Sequence, residues 1–310
     1  NHNYYSDQTI PKNMAIKNSL KPPIFLIGNV RSGTSMFHDI FNLHKDVESW
    51  YEPRTVWVYG APGRQHDRFT EEDATKGVKR YIRKRFIKHQ KSHANRRIME
   101  KTPSNIMRIP YVESIFPESK YLYIIREPFA NLSSAEIRWK FESNWHHLWV
   151  RFLECPKTQI PHYLKRFLVD RYRHYILRKE YFSIWGVRYA GIYNDLKKIS
   201  LEELICKQWV ACSKQAEEDF AKIDPSKIMA IRYEDFVENP VEMYRKIAEH
   251  FNLELTEKVE TQINNMVDSG RQEKWKRLDK DVLKRCLPIL KDEMEKHGYD
   301  TSSIEQFLAD

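Results

Sequence analysis

Four apolar residues in a row, Ile24-Phe25-Leu26-Ile27, follow Pro22-Pro23 and stop at Gly28. The run is too short for a helix and shows no polar alternation, which predicts a strand buried on both faces, as in a parallel sheet. From Thr34 the spacing changes: Met36, Phe37, Ile40 and Phe41 fall at i, i+1, i+4 and i+5, one stripe of a helix. Short apolar runs recur at Ile98-Met99, Tyr121-Leu122-Tyr123-Ile124-Ile125 and Ile228-Met229-Ala230-Ile231, each separated from the next by helical spacing. Strands alternating with helices predict an α/β fold, a three-layer αβα arrangement around a central parallel sheet with right-handed crossovers. In such sheets a ligand sits beyond the carboxyl ends of the strands. The stretches to weigh are therefore Gly28 to Ser35, Glu100 to Asn105, Arg126 to Ser134, and Tyr233 to Asp235.

The same pattern divides the chain. Residues 1–21 are polar and aperiodic, an N-terminal extension, and 22–310 read as a single domain. Between Trp139 and Tyr193, 55 residues hold 14 aromatics, well above the 13% of the whole chain, so a helical, aromatic-rich insertion is expected at about 139–200. An insertion at the ligand end of such a sheet commonly shapes an acceptor pocket. Leu204, Ile205, Gln208, Trp209, Cys212, Ala216 and Phe220 give a further helix, Leu201 to Lys222, the character of ordinary core packing. No run approaches the length needed to span a bilayer, and the N-terminus lacks the apolar block of a secretory signal. The expectation is a soluble chain without a membrane partner, although a first residue Asn1 in place of Met leaves room for an upstream anchor.

Composition narrows the partners. Lys and Arg number 52 against 43 Asp and Glu, net +9, which suits an anionic ligand, a nucleic acid or an acidic membrane. Glycine is scarce, nine in 310 residues, so its positions carry backbone information, and two of them, Gly28 and Gly33, lie five residues apart. Cys155, Cys206, Cys212 and Cys286 form no CxxC pair and no ligand spacing with histidine, so free thiols in a reducing compartment are expected and no metal site. The sequon Asn131-Leu132-Ser133 falls inside a ligand-binding stretch, which favours a cytoplasmic location.

Gly28-Asn29-Val30-Arg31-Ser32-Gly33-Thr34-Ser35 follows a strand and opens a helix, where a P-loop-like turn can wrap a phosphate with successive backbone N–H groups. The glycine spacing is that of G-x-x-x-x-G-K-[ST], but Thr34 replaces the lysine and Arg31 supplies a cation three residues earlier. The loop is expected to hold an anion without a lysine contact to a γ-phosphate.

Arg31-Ser32-Gly33-Thr34-Ser35 resembles the RSGT[TS] loop of sulfotransferases that use 3′-phosphoadenosine 5′-phosphosulfate (PAPS) and release 3′-phosphoadenosine 5′-phosphate (PAP). The resemblance implies that this loop cradles the 5′-phosphosulfate. It also implies that Arg126 and Ser134, eight residues apart as in the family, grip the 3′-phosphate, with Arg138 one turn further on the same face. Ile231-Arg232-Tyr233-Glu234-Asp235-Phe236 is similar to the family's RYEDL segment, which places Tyr233 near the nucleotide. Ser269-Gly270-Arg271 leading to Trp275 resembles the loop that closes over it, although Asp268-Ser269 stands where cytosolic members have Arg-Lys before the glycine. The likeness covers residues 22–140 and 200–299. A transferring sulfuryl group carries less negative charge than a phosphoryl group, so cations and N–H groups suffice and no metal is expected.

The reaction also needs a group to take the acceptor's proton. Glu52, in Trp50-Tyr51-Glu52-Pro53-Arg54, lies where a second strand would end and resembles the base proposed for tyrosylprotein and some bacterial sulfotransferases. Lys101 follows the third strand and resembles the lysine that neutralises the leaving oxygen; with Arg31 these form the expected catalytic set. His38, on the first helix, is the rival base. The implied acceptor is a hydroxyl of a glycan or small-molecule natural product, with a protein tyrosine as the alternative under the same chemistry.

Two other classes compete. A P-loop kinase or NTPase would hold Mg²⁺ on Glu234 or Asp235, against which stand Thr34 and Arg126. A nucleic-acid binder would use the run Lys76, Lys79, Arg80, Arg83, Lys84, Arg85, Lys88 and Lys91. Tyr81, Ile82, Phe86 and Ile87 interleave with it, and an amphipathic helix with a solvated basic face explains the run without nucleic acid.

Overall fold

The structure, a computed structural model, describes residues 20–139, 185–267 and 274–309, with residues 160–161, 164–165 and 168–169 between them. Five parallel strands form one sheet: β1 (Ile24–Gly28), β2 (Val47–Tyr51), β3 (Arg97–Lys101), β4 (Lys120–Ile125) and β5 (Ile228–Arg232), in the order β2-β3-β1-β4-β5. Because side chains alternate along a strand, β1 feeds two cores. Phe25 and Ile27 enter one with Trp57, Phe86, Tyr111 and Trp209, while Ile24 and Leu26 enter the other with Phe37, Phe41, Tyr244 and Phe251. This is the expected three-layer αβα arrangement, in which both sheet faces are covered; β1 and β4 carry long apolar runs, while interior β3 ends in the buried Glu100 and Lys101.

Helices α1 (Thr34–Phe41), α2 (Lys76–Ser92), α3 (Ile109–Ile115), α4 (Pro128–Trp139), α5 (Leu201–Phe220), α6 (Tyr233–Glu238) and α7 (Pro240–Phe251) follow the strands, then α8 (Glu257–Met266), α9 (Lys280–Lys296) and α10 (Ser302–Ala309). Local chemistry sets their starts. Ser200 and Glu203 form a reciprocal capping box on α5, and the Thr75 side chain accepts from Val78 N–H on α2. In α2 only Ile82, Phe86 and Gln90 are buried, so the helix is amphipathic and its basic run is largely outward, with Arg83 instead turned to the Ile115 carbonyl and Glu118. All seven apolar and polar positions expected to pack from α5 are buried.

The strand ends align. Tyr51 pairs with Lys101, Gly28 with Ile124, and Ile125 with Arg232, so the residues after each strand share one edge of the sheet. β2 carries no apolar run, since Val-Glu-Ser-Trp-Tyr is an edge strand with Glu48 turned to Arg96. No helix among the described residues is long and apolar enough to cross a membrane. Most of the expected insertion at 139–200 and most of the N-terminal extension lie outside the described residues.

Candidate active site

β1 ends in a turn that needs unusual backbone angles. Arg31 (φ 66°) and Gly33 (φ 94°) are both left-handed, and Ser32 bonds back to the Asn29 carbonyl through its N–H (3.1 Å) and its hydroxyl (2.7 Å). Gly33 then starts α1, whose first residues Thr34 and Ser35 have no intrahelical acceptors for their N–H groups. A Cβ on Gly33 would stand 2.5 Å from the Tyr233 ring, so an edge of that ring is pressed against the loop. Asn29 anchors the turn from below through Ser213 of α5 at 3.1 Å.

Arg126, at the end of β4, is 8% exposed. Its guanidinium donates to the Arg31 carbonyl at 2.8 Å and covers the Tyr233 ring at 4.1 Å, while its buried Nε has no hydrogen-bond partner. Arg31 in turn donates from Nε to Ser134 Oγ on α4 at 2.8 Å. Arg31, Gly33, Arg126, Ser134 and Tyr233 are thus one contact group, drawn from 200 residues of sequence by three adjacent strand ends. The orphan Nε and the open first turn of α1 fit an anion; a buried donor left unpaired is costly, so the geometry favours a ligand that satisfies it.

On the other side, β2 and β3 bring Glu52 and Lys101 together. Lys101 Nζ, with its side chain 4% exposed, donates to Glu52 Oε1 at 2.9 Å, and Arg54 Nε donates to Oε2 at 2.9 Å. Burial alone would raise the Glu52 carboxyl, but the charges of Arg54 and Lys101 and their hydrogen bonds outweigh it and hold the pKa at about 2. Glu52 itself takes a left-handed φ of 47°. Exposed Tyr51 lies under the Lys101 ammonium at 4.3 Å and meets His38 edge-on at 5.2 Å. His38 Nδ1 faces Asp39 at 3.0 Å and its buried Nε2 has no partner, so the rival base stands beside the same strand end.

Three participants were not singled out in sequence. Arg54 is one; its signal was an arginine two residues after the candidate base. Glu100, fully buried beside Lys101, accepts from Trp57 Nε1 (3.0 Å), Asn105 Nδ2 (2.7 Å) and Thr102; burial pushes it up to about 7 against those donors. Glu127 caps α4 by accepting from Phe129 and Ala130 N–H at 2.9 and 2.6 Å, and burial raises it to about 7 as well.

Of the two candidate metal ligands of the kinase alternative, Glu234 is engaged elsewhere and Asp235 lies beside a cation. Glu234 accepts from Glu127 N–H at 3.1 Å and from the Tyr299 hydroxyl at 2.9 Å, so both oxygens are engaged, and Asp235 faces Arg232 at 3.8 Å. Trp275, in a short helical turn packed against α4, is buried edge-on to Phe307 of α10 at 5.5 Å. Ser35 is exposed at the loop's outer edge. Ser269, Gly270 and Arg271 and the Arg138 side chain lie outside the described residues.

Comparison with known proteins gives these contacts a context. The model of the Sulfotransferase family matches residues 22–195 and 168–257. The chain is 26% identical over 238 residues to protein-tyrosine sulfotransferase 1 of Danio rerio, covering 70% of this chain and 66% of that one. It is 23% identical over 130 residues to nodulation protein NoeE of Sinorhizobium fredii, covering 37% of this chain and 31% of that one. The chain thus spans less than two thirds of the length of either curated relative. Among solved structures, the sulfotransferase domain from the curacin biosynthetic pathway aligns at TM-score 0.50 and 15% identity over 91% of this chain and 99% of that one. A sulfotransferase from Mycobacterium avium aligns at 0.52 and 12% over 93% of this chain and 80% of that one. These likenesses are of fold.

Proposed function

The chain belongs to the sulfotransferase family, and from that premise we propose that it transfers the sulfuryl group of PAPS to a hydroxyl of a glycan or small-molecule natural product, releasing PAP. The observation that carries the reading is the meeting, at one edge of the sheet, of an anion cradle with a carboxylate–lysine pair: Arg31, Gly33, Arg126 and Ser134 on one side, Glu52 and Lys101 on the other.

In this reading the N–H groups of the Gly33–Ser35 turn and Arg31 hold the 5′ end of the nucleotide, and Arg126 and Ser134 hold the 3′-phosphate. Tyr233 supports the loop from behind. Bound PAPS supplies an electrophilic sulfuryl group on a phosphate leaving group. The acceptor oxygen forms the new S–O bond, the bond to phosphate breaks, Lys101 balances the charge left on the phosphate side, and Glu52 receives the acceptor's proton. A carboxylate near pKa 2 is a poor base toward a free hydroxyl. A hydroxyl oxygen already bonding to sulfur is an oxonium-like acid, so proton transfer to Glu52 is downhill once bond formation has begun. Two cations on Glu52 therefore delay its action without preventing it.

A protein-tyrosine acceptor is the second reading, favoured by the likeness to the Danio rerio enzyme. A cytoplasmic location belongs to the same proposal. It is supported by Cys206, Cys212 and Cys286, which are free and buried, and by Asn131, which is 3% exposed within α4 and out of reach of glycosylation.

The test is incubation with PAPS and a panel of glycans, small phenols and alcohols, and an acidic tyrosine peptide, in EDTA, read by mass spectrometry. The expected result is one added SO₃ group on one acceptor class. Mg²⁺-dependent ATP turnover with no sulfated product would overturn the reading.

A further inference from the structure

Where α5 packs on α9, Glu217 meets Glu293 and His297, the last two four residues apart and therefore on one helical face. His297 Nε2 lies 3.2 Å from Glu217 Oε1 and 3.5 Å from Glu293 Oε1. The Glu293 and His297 side chains are 3% and 7% exposed, and Glu217 is 25% exposed toward solvent. Neither Glu293 Oε1 nor His297 Nε2 has a hydrogen-bond partner. Buried polar atoms are nearly always satisfied, and here two orphans aim at a common point.

The spacing identifies what would satisfy both. Bonds of about 2.0–2.2 Å from a tetrahedral metal to nitrogen and carboxylate oxygen place neighbouring ligand atoms about 3.3–3.6 Å apart. The His297–Glu293 separation falls in that range, the His297–Glu217 separation lies just short of it, and all three ligand atoms lie within 4.8 Å of one another. We propose that Glu217, Glu293 and His297 bind one tetrahedral divalent cation of the Zn²⁺ type, clamping α5 to α9, with the fourth position open to water on the Glu217 side.

Two carboxylates balance the ion's charge. Burial, helped by Lys296, lowers the His297 pKa and keeps its lone pair available, while burial raises that of Glu293, a bare carboxylate better paired with a cation than left alone. The Lys296 ammonium occupies Glu217 Oε2 and leaves Oε1 facing the cluster. A second trio, Glu48, His89 and His93, fits less well: its separations are 3.9 and 3.6 Å, and Arg96 already holds Glu48. The sequence expectation of no metal came from the cysteines and the chemistry; a Glu-x-x-x-His pair completed by a distant helix carries no such spacing signal. The clamp lies one ring from the nucleotide side: Trp209 meets His297 edge-on at 5.9 Å and donates from Nε1 to the Arg126 carbonyl at 3.1 Å. It does not touch the reacting groups, so the inference stands apart from the proposed reaction.

The experiment uses the full chain, stripped with chelator and titrated with Co²⁺ as a spectroscopic probe and then with Zn²⁺. The expected result is saturation at one equivalent with the visible bands of four-coordinate Co²⁺, bleached by Zn²⁺, and a rise in melting temperature with Zn²⁺. His297→Ala and Glu217→Gln should each weaken Zn²⁺ by at least tenfold. Glu217 is at the rim, so its variant should keep the melting temperature of the metal-free wild type, separating metal loss from misfolding. Absence of the four-coordinate bands, or equal Zn²⁺ binding by wild type and both variants, would overturn the site.

Discussion

At the ends of β1 and β4 the candidate site is made by backbone conformation: two left-handed residues, an open first helical turn and a tyrosine ring pressed on a glycine, with Arg126 and Arg31 linked through a carbonyl. At the ends of β2 and β3 it is made chiefly by charged side chains, on a left-handed Glu52 whose N–H donates to the Lys101 carbonyl at 2.9 Å, with the Glu52 carboxylate held by Lys101 and Arg54 and its pKa at about 2. In the proposed reaction the first half holds a fixed anion, and replacing one member should weaken binding. The second is an electrostatic balance between charges of opposite sign, and replacing one member should change the rate.

The sharpest break between the halves is Glu52→Gln, which keeps the shape but cannot take a proton. kcat should fall by roughly 10²- to 10⁴-fold while PAP affinity changes little. If His38→Asn is dead and Glu52→Gln active on the same acceptor, the base is His38. Arg126→Ala works in the opposite direction: a charged hydrogen bond is worth roughly 1.5–3 kcal/mol, so calorimetry should show PAP weakened by at least about tenfold. Gly33→Ala forces a methyl against Tyr233 at a φ that costs about 1–2 kcal/mol, and PAP affinity should drop by about an order of magnitude with Glu52 chemistry intact.

The pH profile sharpens the comparison further. Because the Glu52 pKa is lowered to about 2, its basic form is present throughout pH 5–8, so kcat should show no acid limb there from this group. An imidazole base would impose a limb near ~6.5. Glu100 moves oppositely. Raised to about 7 when folded, it contributes stability that is complete below its unfolded value and lost as pH rises through 7. Melting curves at pH 5 and 8 should therefore converge in Glu100→Gln relative to wild type. Asn105 Oδ1, buried without a partner, can accept the new amide's hydrogen if Asn105 flips.

Legibility in sequence followed the same division. β1 and β4 lie in the sheet's interior, so both faces demanded apolar residues and the runs announced themselves; the loop followed because positive φ and close approach select glycine at Gly33. β2 at the edge needs only Val47 and Trp50 inward, and its Glu48 and Ser49 hide the strand. Glu52 and Lys101 could be proposed as neighbours only through likeness, since a parallel register joins them across 49 residues. Arg54 leaves only its place two residues after the candidate base as a signal, because an exposed arginine and one that sets a carboxylate's pKa look alike in a chain. The hydrogen bond from Arg31 to Ser134 crosses from loop to helix and leaves no periodic trace.

If the β1–β4 half holds a nucleotide by its 3′-phosphate, isothermal calorimetry of the wild-type chain with PAP and with AMP under identical salt will separate the two ligands. PAP should bind at least about tenfold more tightly, one charged contact's worth, and Arg126→Ala should remove the difference. Equal affinities for PAP and AMP in the wild type would contradict that mode of binding.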